Sequence, residues 1–98
     1  MGLDQSIYHS KPNVLDPDDY GEEIAYWRKD WALQHYIDTD NCEKLELTIN
    51  LCDDILSNLA IIYEDESDAS YLDYTNTSFL KAKALLEQGE RVIYYANW

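Results

Sequence analysis

The pattern of apolar and polar positions divides the chain into six regular stretches. In residues 3–9, Leu3, Gln5 and Ile7 fall on one side of an extended chain, and Asp4, Ser6 and Tyr8 fall on the other. Pro12 and Pro17 punctuate a loop that runs through Asp16, Asp18 and Asp19. A helix is expected over residues 22–37, its start favoured by acids. At helical spacing Ile24, Trp27, Trp31 and His35 lie together, with Tyr26, Leu33 and Ile37 nearly opposite. A helix apolar on two sides sits between packed layers or turns one aromatic face to a partner.

Residues 42–47 alternate Leu45 and Leu47 with Lys44 and Glu46, as a half-buried strand does. Thr48 offers an N-cap to the clearest amphipathic helix, residues 48–63, whose apolar side holds Cys52, Leu56, Leu59 and Tyr63. The run Glu64 to Asp68 reads as a solvated connector. A further helix covers residues 76–88, with its start placed as early as Ser70, and Gly89 is its C-terminal cap. Residues 91–96 close the pattern as a strand, with Val92, Tyr94 and Ala96 opposite Ile93 and Tyr95. The expected architecture is a single α+β domain over residues 1–98, with three helices on a small sheet of about three short strands.

Charge alters this picture. The chain has 98 residues, with 20 acids against 7 bases and a formal net charge of -13. Such acidity opposes unaided binding to nucleic acid and docking on an anionic membrane. No apolar run approaches the ~20 residues of a membrane span. The first residues have neither the basic region nor the apolar core of a secretion signal, so a cytoplasmic setting is expected. Residues 81–98 hold two acids, Glu87 and Glu90, and three bases, so the negative charge gathers in residues 1–80. On helices, acids three or four residues apart form rows that imitate a phosphate backbone or simply keep a protein soluble. The acidic candidates for partner contact are Asp16, Asp18, Asp19, Glu22, Glu23, Asp30, Asp53 and Asp54.

Chemistry is harder to find. Three glycines build no phosphate loop. Cys42 and Cys52, ten residues apart, fit no zinc pattern and read as free thiols. His9 and His35 form no metal-ligand pair, and no nucleophile elbow surrounds either cysteine. No catalytic residue, metal or cofactor is therefore expected. Trp27-Arg28-Lys29 places two of the seven bases among aromatic residues, which makes Tyr26, Trp27, Arg28 and Trp31 the aromatic and basic candidates for a contact.

Several segments carry a resemblance: Met1-Gly2-Leu3-Asp4, Ile24-Ala25-Tyr26-Trp27-Arg28-Lys29, Asn41-Cys42-Glu43, and Tyr94-Tyr95-Ala96-Asn97-Trp98. Together they resemble a group of small phage and prophage proteins that begin Met-Gly-Leu-Asp, carry a Tyr-Trp-Arg-Lys helix and end in an aromatic strand. Gln5 stands where that pattern has Met, and the connectors here are shorter. The resemblance implies the cytoplasm of an infected bacterium. By analogy with anti-CRISPR and anti-restriction proteins, it implies a non-enzymatic binding protein that inhibits or modulates a host or defence protein, and the acidic rows make a basic, nucleic-acid-binding one the expected partner. The alternatives are a phage assembly subunit forming a homodimer or larger homo-oligomer, and a small ligand-binding protein or enzyme using Trp27, Arg28, Trp31 and His35.

Overall fold

The computed structural model describes residues 2–10, 22–65 and 70–98. The elements are β1 (Asp4–Ser10), β2 (Glu22–Arg28), α1 (Trp31–Ile37), β3 (Lys44–Glu46), α2 (Ile49–Ser57), α3 (Leu59–Ile62), α4 (Ser70–Glu87) and β4 (Arg91–Asn97). The four strands form one antiparallel sheet in the order β2-β1-β4-β3. This is the α+β class that the pattern predicts, with one more strand and a broken helix.

The expected helix over 22–37 is the main correction. Its first half is β2, in which Ala25 and Trp27 turn inward while Tyr26 and Arg28 turn outward. The register steps between Ile7 and Tyr8, leaving Ile24 as an extra residue, a bulge that disguises the period-2 alternation. Lys29 then takes a positive φ of 60° and ends the strand. Asp30 starts α1 by accepting from the Leu33 amide at 3.1 Å. The helical spacing of Ile24, Trp27, Trp31 and His35 therefore runs across two different elements and marks no common face.

Other boundaries follow their local signals. Thr48 caps α2 through the Leu51 amide at 3.1 Å. The expected 48–63 helix breaks at Asn58, whose side-chain amide donates to the Asp54 carbonyl at 2.7 Å and competes with the helical ladder. Helix α4 begins at Ser70, and Gly89 follows it at φ 84° with its amide on the Leu86 carbonyl. Glu64 and Asp65 are exposed turn residues, whereas the loop of Asp16, Asp18 and Asp19 lies outside the described residues. Among the described residues no helix is long and apolar enough to cross a membrane.

The core lies against one sheet face. Leu3, Ile7, Ala25, Trp27, Val92, Tyr94 and Ala96 meet Leu33, Cys52, Ile55, Leu59, Tyr63, Phe79 and Ala82. Eight buried polar and aromatic side chains run through this core as a connected hydrogen-bond network. The Trp27 indole N–H donates to Thr75 Oγ1 at 3.0 Å, and Thr75 lies 2.7 Å from the Tyr63 hydroxyl. Tyr63 spends its single proton on Asp30 Oδ2 at 2.6 Å, so Thr75 is the donor to Tyr63.

Gln5 accepts from the Asp30 amide at 2.9 Å and donates to both the Asp30 carbonyl and the Tyr94 hydroxyl at 3.0 Å. Tyr94 donates to Gln34 Oε1 at 2.6 Å, and the Gln34 amide donates to the backbone carbonyl and hydroxyl of Thr39. Both glutamine amides use both protons, and each hydroxyl proton of Tyr63, Tyr94 and Thr75 has an acceptor. A network satisfied to this extent removes the usual cost of burying polar groups.

Burial raises the Tyr63 and Tyr94 hydroxyls above the ordinary phenol value, with the Asp30 bond adding to the effect at Tyr63. Burial, and then the charge of Asp53, raises the Cys52 thiol from 9.0 to about 11.

Two outcomes are expected. Asp30→Ala removes a helix cap and the Tyr63 acceptor and should cost about 2–4 kcal/mol in urea unfolding. Tyr94→Phe should cost about 1–3 kcal/mol by stranding Gln5 and Gln34, whereas exposed Tyr71→Phe should stay within about 0.5 kcal/mol. In alkali, the unfolded chain loses the Cys52 proton from 9.0 upward, while the folded chain holds it to about 11. Tyr63 and Tyr94 act in the same sense at higher pH. Stability is therefore fully present below the unfolded values and falls as pH rises through this window. A urea midpoint that stayed constant between about pH 8 and about pH 11 would contradict this linkage.

Candidate functional site

Strand β2 lies at one edge of the sheet. The Lys29 amide reaches back to the Leu3 carbonyl at 2.7 Å, which fixes the phase of pairing. By antiparallel alternation, Trp27 and Ala25 turn their peptide groups to β1, and Tyr26 and Arg28 turn theirs to the outer edge. The Tyr26 amide donates there to the Tyr74 hydroxyl of α4 at 3.0 Å. Helix α4 thus covers one point of this edge.

Beside that point lies an open cleft of about 490 Å³, lined by Tyr26, Trp27, Arg28, Ser70, Tyr71 and Tyr74. Three of its rings are fixed through their polar atoms. The Trp27 N–H points inward to Thr75, and the Tyr74 hydroxyl accepts from the β2 edge. Tyr26 donates to Asp4 Oδ1 at 2.5 Å, a bond that raises the Tyr26 hydroxyl above its ordinary value. Trp27 and Tyr74 meet edge to face, with centroids 5.5 Å apart at 78°. These bonds leave the cleft mainly carbon surface from the rings, with Arg28 among its lining residues.

The structure separates the expected site residues. Trp27, only 3% exposed, is the cleft floor and a core residue rather than a free aromatic contact. Asp30, 4% exposed, belongs to the buried network and is not a surface acid. Tyr26 and Arg28 stay exposed and line the cleft. Trp31 lies apart, packed on His35 at 6.0 Å and Trp98 at 5.8 Å. The region expected to unite Trp27, Arg28, Trp31 and His35 is therefore two separate places.

Glu22 and Glu23 are exposed at the start of β2, not in a helical row with Asp30. On α2, Asp53 pairs with Lys83 at 2.7 Å, and Asp54 accepts from the Tyr36 hydroxyl at 2.9 Å. The proposed acidic row on α2 is thus partly engaged within the molecule.

Sequence reasoning missed Ser70, Tyr71 and Tyr74. The available signal was the i, i+3 spacing of Tyr71 and Tyr74 at the start of a helix whose buried stripe is Thr75, Ser78, Phe79 and Ala82. Nothing local joins that spacing to Trp27, more than forty residues away.

Nucleophile–base pairs are not assembled by the cysteines. Cys52 is buried in the core, whereas Cys42 is exposed with Sγ near the side-chain oxygens of Asn41 and Asn97. His9 Nε2 lies 2.5 Å from Glu90 Oε2 and has no hydrogen-bond partner among the described residues. Among the described residues no three His, Cys, Asp or Glu side chains converge on a metal position. Comparison of the chain with family models, with curated proteins and with solved structures yields no match.

Proposed function

We propose that this chain is a non-enzymatic binding protein that engages a basic, nucleic-acid-binding protein of a bacterial host or its defences. The observation that carries the reading is the placement of its carboxylates. Among the described residues Asp30 is the one buried acid, while Glu22, Glu23, Asp38, Asp40, Glu43 and Asp54 are exposed. The internal ion pairs Lys83–Asp53 and Arg91–Glu46 engage two acids and two bases and leave the net charge of -13 unchanged. A surface of this sign speeds association with a positive partner and competes with a phosphate backbone. The motif resemblance to small phage proteins supports an infected bacterial cytoplasm as the setting.

The test is affinity capture from bacterial lysate, followed by binding measurements on the purified partner. Binding should fall at least tenfold between about 0.05 and about 0.2 M salt, as expected when exposed charges dominate. Duplex DNA should compete. Paired substitutions Glu22→Gln with Glu23→Gln, or Asp38→Asn with Asp40→Asn, should slow association on whichever face is used. A salt-independent complex that DNA does not displace would rule out the acidic-surface reading.

A further inference from the structure

The cleft beside β2 has a feature that the acidic surface does not explain. Arg28 is exposed, yet among the described residues it has no ion-pair partner, although the chain holds 20 acids. Asp4 stands directly across from Arg28 on β1 and is the natural partner for it. Its carboxylate is instead bonded to the Tyr26 hydroxyl. That hydrogen bond fixes the Tyr26 ring and turns the Asp4 carboxylate to the phenol, so among the described residues no ion pair takes up the Arg28 donors.

We infer that this cleft binds a small planar monoanion, an aromatic or heteroaromatic ring carrying one carboxylate. The volume of about 490 Å³ lies within the usual range for small-molecule sites. The ring packs against Tyr71 and Tyr74 over the Trp27 floor, with Trp27 and Tyr74 already held by their bonds to Thr75 and the β2 edge. The carboxylate meets Arg28, whose planar fork donates two parallel N–H bonds. A single negative charge matches the one guanidinium at the site, and Asp4, across from it on β1, penalises a second. This ligand site does not depend on the acidic surface or its partner.

Nitrogen-15 NMR on the whole chain tests the assignment through the Arg28 Nε–H and Trp27 Nε1–H signals. The probe is 2-naphthoate, with neutral 2-naphthamide and ring-free acetate beside it. Naphthoate should saturate both signals with a Kd of about 1 mM or tighter, as expected for a ligand of its size. Naphthamide should bind at least tenfold more weakly, and acetate should leave the Trp27 signal in place. Arg28→Gln should abolish the preference for naphthoate over naphthamide, while Tyr71→Ala should weaken both. The unfolding midpoints of these surface variants confirm that each is folded. N-acetyltryptophan binding more tightly than naphthoate would assign the same chemistry to the terminal residue of a peptide. Equal binding of naphthoate and naphthamide, unchanged binding in Arg28→Gln, or no shift at several times the expected Kd would overturn the inference.

Discussion

The carboxylate of Asp30 is the constraint on which the rest of this structure depends. Its two oxygens serve two elements: one caps α1 and the other accepts from Tyr63 after α3. The Asp30 backbone amide and carbonyl are both held by Gln5 of β1. A single residue in the link between β2 and α1 therefore ties the central sheet to the helical layer. A charge buried without partners costs several kcal/mol or more, so Asp30 is tolerated only because each contact is made at once. That condition fixes the relative placement of β1, α1 and the Tyr63 turn more narrowly than apolar contact alone would.

The cleft is built on one end of the same network. Trp27 is held from below by Thr75, and Thr75 by Tyr63, which rests on Asp30. The floor of the cleft thus inherits its rigidity from the core. Its walls take theirs from the β2 edge, where the Tyr26 amide finds the Tyr74 hydroxyl. That bond also blunts an exposed strand edge, which is otherwise a template for unwanted pairing. The contact that protects the edge also holds an aromatic wall upright.

Much of the fold was legible because its signals are local. The alternation in residues 3–9 and 91–96 gave β1 and β4, and Thr48 and Gly89 marked helix ends as their chemistry requires. Residues 22–37 misled because a bulge at Ile24 shifted the strand phase, while a left-handed Lys29 joined two elements whose apolar residues happened to match a helical period. Gln5, Gln34 and Thr75 are polar residues at core positions, and their burial follows from partners as far as 89, 60 and 48 positions distant. Asp30 read as a surface acid for the same reason: its burial depends on Tyr63 and Gln5. The cleft was half legible, since Tyr26, Trp27 and Arg28 stood out, but Tyr71 and Tyr74 reach them only through tertiary packing.

An acidic protein with an anion-binding cleft is electrostatically consistent. At physiological ionic strength, charges more than about 8 Å apart across solvent are largely screened. Most exposed carboxylates therefore contribute to the approach of a partner but little to the potential inside a small cleft. Close to the cleft, Arg28 stands across from Asp4, whose carboxylate is bonded to Tyr26. Were Asp4 to swing onto Arg28, the guanidinium donors would be taken up and one wall would lose its anchor. The Tyr26–Asp4 bond therefore leaves the Arg28 donors, among the described residues, to a small anion, while the exposed carboxylates set the far field that suits a basic macromolecule.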